Sequence, residues 1–501
     1  MWLTRVLRGR LALSPDAVAL VDEGGELTWR EFAARVAARR AFLEGATDRL
    51  DRVAYLAHGR KEHFELLFAC AGAGRTFVPM NPSLTAPELA HQLALVEPAV
   101  LVAEPDLVGF ATGAVGDAPV AVVPLDDARS DTGAGDGAAS DPLTDDEAAV
   151  VFFTSATTGR SKGVEVAERS LMANALAWAL DVLPAHGPAR FLSACPLFHG
   201  SSVIALDYLV AGRPVHVLPR FAPRPFSAAV RKWGITQTFL VPTMVELLLR
   251  TPHLDTTQFE SLELIGHGAA PMPPELARRC REALGVELHS VYGITEGGGP
   301  AIGGPLPRAA EAPAAGATPI GVPMSGVRAR VVAEDGRPAA VGEPGELRLR
   351  WPGLMTGYWR DPGATAAAVD DDGWLRTQDV VLVDGSGLHW ILDRRTDLIL
   401  RGGQNVYPAE VESVLRGLPG VAEAAVVGAA SQLWGQTPVA FVTLEPGADV
   451  TPAQITQWCA SRLASYKLPS EIVVVEQIPV SPSGKVLRRE LRARVEHQRH
   501  R

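Results

Sequence analysis

Short apolar runs alternate with helical patterns through the first 220 residues, and this alternation constrains the fold more than any other feature of the chain. Residues 52–57 read as a buried strand, 62–73 as an amphipathic helix and 76–80 as a second strand. Asn81-Pro82 then turns the chain into a helix over 87–95, and 99–103 reads as the next strand. Strand–helix–strand repetition at this spacing argues for parallel α/β layers.

The pattern changes twice. Residues 126–147 are dominated by Asp, Gly, Ala, Ser and Thr, and read as an exposed acidic linker. A second loose stretch, 303–318, is rich in Pro, Ala and Gly. From 320 to 349 the reading is β: strands over 327–332 and 346–350 flank an Asp335-Gly336 turn, which suggests a smaller β subdomain. The last hundred residues read as a separate α+β module, with helices over 407–415 and 451–463 and strands over 422–427, 439–444 and 472–475. No internal repeat or heptad run is present.

Composition narrows the function classes. The chain has 501 residues, 47% of them hydrophobic, so there is ample material for a large core. A net charge of −10 argues against coating nucleic acid or an anionic membrane. Cys70, Cys195, Cys280 and Cys459 lie far apart without a CxxC pair, which disfavours a disulfide scaffold or structural zinc and fits a reducing compartment. No stretch approaches about 18 uninterrupted apolar residues, so no membrane span is expected. Ser14, Pro15 and Asp16 break any signal-peptide core, and the terminal His-Gln-Arg-His-Arg is no targeting address. The expectation is a cytoplasmic enzyme.

The most informative stretch is the apolar run Val150-Val151-Phe152-Phe153 followed by Thr154-Ser155-Ala156-Thr157-Thr158-Gly159-Arg160-Ser161-Lys162-Gly163. Hydroxyls, free backbone amides and a lysine directly after a buried strand make a phosphate cradle, although the glycine that a Walker A loop needs before Lys162 is absent. Tyr292-Gly293-Ile294-Thr295-Glu296 then offers a base-stacking ring, a phosphate donor and a hard oxygen ligand for Mg²⁺. Taken singly, each is a common structural residue. Further on come Trp374-Leu375-Arg376-Thr377-Gln378-Asp379, Asp393-Arg394, Arg401-Gly402-Gly403-Gln404-Asn405 and Pro482-Ser483-Gly484-Lys485.

In this order and spacing the motifs resemble the adenylate-forming superfamily, which includes acyl-CoA synthetases, amino-acid adenylation domains and firefly-type luciferases. The resemblance covers essentially the whole chain. It implies a large N-terminal domain of layered α/β sheets with a β subdomain (1–394) and a small mobile α+β C-terminal domain (395–501). The reaction implied has two steps. A carboxylate attacks the α-phosphate of ATP to give acyl-AMP and pyrophosphate, and after a domain swing a thiol displaces AMP.

The resemblance also assigns roles. Thr154, Ser155, Thr157, Thr158 and Lys162 grip the β- and γ-phosphates, and Gly268, Ala269 and Ala270 line the adenine pocket. Tyr292 and Gly293 belong to the adenine-stacking motif, while Thr295 contacts the α-phosphate and Glu296 ligates Mg²⁺. Asp379 binds the ribose hydroxyls, and Arg394 supports ribose and phosphate. Lys485 bridges acid and α-phosphate. Gly403 lines the pantetheine path, and His199 is the gate between acyl pocket and thiol tunnel, a satisfied strand-end histidine being the alternative. Trp434 and Tyr466 either cover the CoA adenine or pack in a core. Implied ligands are ATP or AMP, coenzyme A, Mg²⁺ and a small carboxylic acid.

Three departures stand out. Ala156 and Ser161 replace a glycine and a proline usual in the phosphate loop, and Thr396 replaces a hinge Asp or Lys. A Cβ at 156 crowds amide-to-phosphate approach, and serine at 161 restores conformational freedom. Lost phosphate contacts cost about 3 kcal/mol, or roughly a hundredfold in rate. These contacts serve only the first step. The expectation is therefore that thioester formation survives while adenylation is weak or lost, a partner enzyme then supplying acyl-AMP. Domain movement is expected to persist despite Thr396.

His199 stands where amino-acid-activating relatives carry aspartate, and no carrier-protein serine motif follows, so acid:CoA ligase is the leading reading. The alternatives are an enzyme loading a separate carrier protein and a non-catalytic nucleotide-binding protein. The acyl pocket is expected among His199, Ser202, Asp207, Val241, Gly266, His267, Ile294, Gly297, Gly298 and Gly299. Small residues on one wall suggest a bulky aromatic, alicyclic or terpenoid acid. Asp207 alone reads as a solvated helix residue.

Overall fold

The computed structural model describes residues 2–129, 141–154, 161–183, 189–308, 312–313, 317–394, 397, 399–401, 404–431, 434–463, 465–481 and 486–499. Residues 394, 400, 404, 405, 435, 498 and 499 are described by backbone alone. Ser155, Ala156, Thr157, Thr158, Thr396, Gly403 and Lys485 lie outside the described residues.

The alternating pattern folds as read. Strand β1 (Arg52–Leu56), helix α1 (Glu62–Ala73), strand β2 (Thr76–Met80) and strand β3 (Val100–Ala103) follow one another, then β4 (Ala148–Phe153) and β5 (Gly163–Ala167). They form a seven-stranded sheet in the order Gly357–Tyr358, β5, β4, β2, β1, β3, Ala121–Pro124. β1 pairs in parallel with both β2 and β3, whereas β4 and β5 are antiparallel. Parallel strands carry connecting helices on their faces, so these segments lack the alternation of a half-exposed strand, and Val53 to Leu56 are all buried. α1 is not amphipathic as expected. Every residue from His63 to Ala73 is buried, and the carboxylate of Glu65 is held by Arg39 Nε at 3.2 Å.

Helices α2 (Glu168–Asp181) and α3 (Ser201–Val210) precede the strands of a second sheet, β6 (Gln237–Leu240), β7 (Leu264–Gly268), β8 (Glu287–Ile294) and β9 (Gly299–Pro305). The edge strand Gly357–Tyr358 is β10, and β11 (Leu375–Val383) and β12 (His389–Arg394) follow. The second sheet has 13 strands, running from Arg328–Val332 through Gly345–Arg350, β11, β12, Thr318–Pro323, β9, β8, β7 and β6 to the N-terminal strands. The expected β subdomain is therefore one end of this continuous sheet, joined to the rest through Thr318–Pro323.

Both loose stretches are shorter than expected. Ala128 and Leu143 are core residues, and Arg39 donates to the carbonyls of Leu125 and Ala128. Gly303 and Gly304 lie within β9, paired with Val291 and Ser290. The last hundred residues carry their own five-stranded sheet, Gln404–Val406, Ile399–Arg401, Gly435–Leu444 and Val421–Ser431, with Glu471–Val474 pairing on Gly435–Leu444. A final helix, Arg488–Arg499, places Leu491 and Val495 against Ala425, Val427 and Phe441.

Candidate active site

β4 ends just before Thr154. Phe152 and Phe153 are buried, and the amide of Thr154 donates to the carbonyl of Lys162 at 3.0 Å, so these two residues lie side by side. Ser161 Oγ accepts from Gln92 Nε2 at 3.4 Å. The Lys162 ammonium lies 4.7 Å from the centroid of the Tyr358 ring, and the Tyr358 hydroxyl donates to Glu296 Oε1 at 2.8 Å. Burial and the Glu296 charge both push the Tyr358 phenol up from its ordinary value. Sequence reasoning missed Tyr358, which touches both Lys162 and Glu296, because a two-residue strand leaves no periodicity to read.

The Tyr292 motif sits at the end of β8, where an irregularity between Tyr292 and Gly293 shifts the register against β9. Gly293 is obligatory, since a Cβ there would lie 2.4 Å from the Gly299 carbonyl oxygen. Gly298, at φ +75°, would place a Cβ against the Gly353 carbonyl oxygen. Thr295 and Glu296 then lie half-buried in a short 3₁₀ turn. β7 runs parallel to β8 with Gly268 opposite Val291, so Gly268, Ala269 and Ala270 leave the sheet beside Tyr292. Ala269 has φ +64°, an uncommon left-handed conformation for a residue with a Cβ.

From the far side β11 brings in Asp379, 1% exposed, which accepts from the Tyr292 hydroxyl through Oδ2 at 2.5 Å. Gln378, directly before it, has φ +60°. Strand pairing sets Asp379 opposite Arg394 on β12. Tyr292, Asp379, the 268–270 strip and the backbone of Arg394 are thus one constellation drawn from four strands, whose members are up to 126 residues apart in sequence.

His199 follows Phe198, whose ring centroid is 4.4 Å away, and its carbonyl accepts from the amide and hydroxyl of Ser202 at the start of α3. Two acyl-pocket expectations change. Asp207 is not solvated: it is 1% exposed, neither carboxylate oxygen has a hydrogen-bond partner among the described residues, and burial pushes its carboxyl well above the usual carboxylate range. His267 alternates to the face of β7 opposite Gly266 and Gly268. That face carries Leu240, Ile265 and Leu288, and there burial, with Arg281 and His289 nearby, lowers the imidazole to about 3. A Cβ at Gly266 would meet the side chains of Phe239 and Val291 at 3.4 and 3.5 Å, so the strand packs against both rather than leaving open space there.

In the C-terminal module Trp434 is 46% exposed, and the Arg401 guanidinium lies 5.8 Å from its ring centroid. Arg401 also donates to the carbonyls of Tyr466 and Leu468, so one side chain ties the two aromatic segments together. Tyr466 packs partly against the module's core. Arg401 opens the Arg401-Gly402-Gly403-Gln404-Asn405 motif, but nothing in the sequence assigns it this contact.

The donor set suits Mg²⁺. Among the described residues no group of three or more His, Cys, Asp or Glu side chains could hold a metal unaided. A half-buried Glu296, anchored by one oxygen, matches an ion that takes one or two carboxylates and completes its shell with phosphate and water.

This fold and site define an ATP-dependent adenylate-forming enzyme. The AMP-binding enzyme family model matches residues 7–359, and the AMP-binding enzyme C-terminal domain model matches 410–485. The chain is 34% identical over 493 residues to a feruloyl-CoA synthase of an Amycolatopsis species, covering 97% of each. It is 36% identical over 492 residues to the fatty acid–[acyl-carrier-protein] ligase ScoC of Streptomyces coeruleorubidus, covering 96% of this chain and 94% of that protein. The solved o-succinylbenzoate coenzyme A synthetase of Bacillus subtilis, in complex with ATP and magnesium, superposes with a TM-score of 0.85 at 30% identity, covering 97% of this chain and 98% of the other. The chain belongs to the AMP-binding enzyme family, in the acid–CoA ligase branch of the adenylate-forming superfamily. It is an acid–thiol ligase that uses ATP, coenzyme A and Mg²⁺ and works through an acyl-adenylate. No helix among the described residues is long and apolar enough to cross a membrane.

Proposed function

We propose that this ligase converts a bulky hydrophobic acid, aromatic, alicyclic or terpenoid, to its CoA thioester, and that thioester formation is the stronger of its two half-reactions. The observation that carries this reading is the Tyr292–Asp379 bond. It supports an AMP end of the cleft built from residue types that the sequence keeps (Tyr292, Asp379 and Arg394), whereas Ala156 and Ser161 depart in the loop for the β- and γ-phosphates.

In the first half-reaction a carboxylate oxygen bonds to the α-phosphorus of ATP and pyrophosphate leaves. Lys485 neutralises charge on the acid and the α-phosphate, and Thr295 donates a hydrogen bond to the α-phosphate. Mg²⁺, when bound at Glu296, supplies further neutralisation of the phosphates. In the second half-reaction the thiolate sulfur of CoA attacks the acyl carbonyl carbon and AMP departs with the bonding electron pair. Asp379 and Arg394 keep the adenylate in place, His199 gates the acyl pocket, and Gly403 lines the approach of pantetheine. A hinge at Thr396 carries the small domain from one arrangement to the other. Trp434, held by Arg401, and Tyr466 cover the CoA adenine.

The aromatic acids named for the feruloyl and succinylbenzoate relatives support a ring-bearing acid. Loading of a carrier protein is a second reading, favoured by likeness to a carrier-protein ligase and by the exposure of Trp434. Four buried free cysteines support the cytoplasm as its compartment. Mass spectrometry of products from an acid panel, each acid offered free with ATP and as synthetic acyl-AMP, with CoA or a holo-carrier as acceptor, tests both readings. Thioester from acyl-AMP and CoA is expected. No thioester with either acceptor would instead favour a non-catalytic nucleotide-binding protein.

A further inference from the structure

Tyr358 touches both charges of the nucleotide end of the cleft. Its ring lies under the Lys162 ammonium at 4.7 Å, within cation–π range, and its hydroxyl donates to Glu296 Oε1 at 2.8 Å. The backbone around it binds the same two segments. β10 pairs with β5 directly after the phosphate loop, Tyr358 opposite Val164, and the Trp359 amide donates to the Gly163 carbonyl at 2.7 Å. The Met355 amide donates to the Glu296 carbonyl at 3.0 Å. Glu296 is thus held at its backbone and at one carboxylate oxygen by a single short segment. The tyrosine is itself fixed, its amide donating to Thr365 Oγ1 at 2.9 Å.

We propose that Tyr358 is a positioning residue that holds Glu296 and Lys162 as one unit and thereby sets the affinity of the site for a divalent cation with ATP. The proposal rests on Glu296 as the metal ligand and Lys162 as a phosphate contact. A carboxylate fixed through Oε1 turns Oε2 toward a ligand without a rotamer search, and a lysine seated on a ring face is preordered for phosphate. Both effects belong to the nucleotide-binding half of the reaction. Acyl-AMP carries no β- or γ-phosphate, so its conversion is insensitive to them.

The test is binding of Mn²⁺ with ATP, followed by the loss of the free Mn²⁺ electron paramagnetic resonance signal, in the full chain and in an Ala156→Gly background that eases the phosphate loop. Tyr358→Phe keeps the ring and removes the hydroxyl. It is expected to weaken Mn²⁺ binding in the presence of ATP about tenfold, the order of a lost hydrogen bond to a charged group. Tyr358→Leu removes the ring as well and is expected to weaken ATP binding further. Thioester formation from synthetic acyl-AMP is expected to fall by a smaller factor than Mn²⁺ binding in both variants, and their denaturant unfolding midpoints report that they fold. Unchanged Mn²⁺ binding in Tyr358→Phe, with a clear loss in Glu296→Gln, would overturn the role of Tyr358 alone. Unchanged binding in Glu296→Gln would overturn the metal-ligand reading and the proposal with it. Equal losses in both half-reactions for Tyr358→Phe would mark a merely structural residue and overturn the proposal too.

Discussion

The hydroxyl of Tyr292 donates to Oδ2 of Asp379 at 2.5 Å, joining two buried residues 87 positions apart. Asp379 is almost fully buried, so this charge-assisted bond replaces water that the carboxylate has lost. Tyr292→Phe keeps the ring and removes the donor. Loss of a hydrogen bond to a buried charge costs about 1.5–3 kcal/mol, so AMP affinity is expected to fall roughly tenfold to a hundredfold by calorimetry. Unchanged AMP affinity would mean that the bond does not serve the ligand.

Gln378 and Ala269 adopt left-handed backbone at the two edges of the same constellation. That conformation costs an L-residue about 1–2 kcal/mol and glycine nearly nothing. Gln378→Gly is expected to stabilise the fold by up to about 1 kcal/mol in urea unfolding while weakening AMP binding, because the residue before Asp379 gains freedom. Tighter AMP binding in this variant would contradict a positioning role for the strain.

Asp207 gives a pH signature. Its carboxyl is raised in the folded chain by burial alone. Below the unfolded carboxylate value both states are protonated and nothing is lost. As pH climbs from the ordinary carboxylate range toward the raised folded value, the unfolded chain ionises first and stability falls. Asp207→Asn is expected to remove that slope and to raise the unfolding midpoint at neutral pH. Denaturant unfolding at pH 5 and pH 8 checks this, and an unaltered slope in the variant would refute it.

Trp434 is exposed and flanked by Arg401. Trp434→Ala is expected to raise KM for CoA by about tenfold in thioester formation, the order of one aromatic stacking contact with a base. Binding of acyl-AMP should not change. An unchanged KM for CoA would favour the carrier-protein reading.

The parallel α/β segments were legible because buried strands and their turns leave a local record, as at 52–57 and 76–80. The same locality misled elsewhere. α1 carries polar residues and reads as amphipathic, but Glu65 is neutralised from another element by Arg39. Residues 126–147 look like a linker, although Ala128 and Leu143 anchor its described ends in the core. The Tyr292 and Asp379 motifs were visible as residue types, but their bond depends on bringing β8 and β11 together through a 13-stranded sheet. Tyr358 left no signal, since its role comes from two partners contributed by other segments.

The most direct measurement is a single-turnover comparison of the two halves of the reaction, with the true acid and ATP in one arm and synthetic acyl-AMP and CoA in the other. Rapid thioester from acyl-AMP is expected, with pyrophosphate release slower by about a hundredfold and recovered in Ala156→Gly. Pyrophosphate release as fast as thioester formation in the unaltered chain would contradict this expectation.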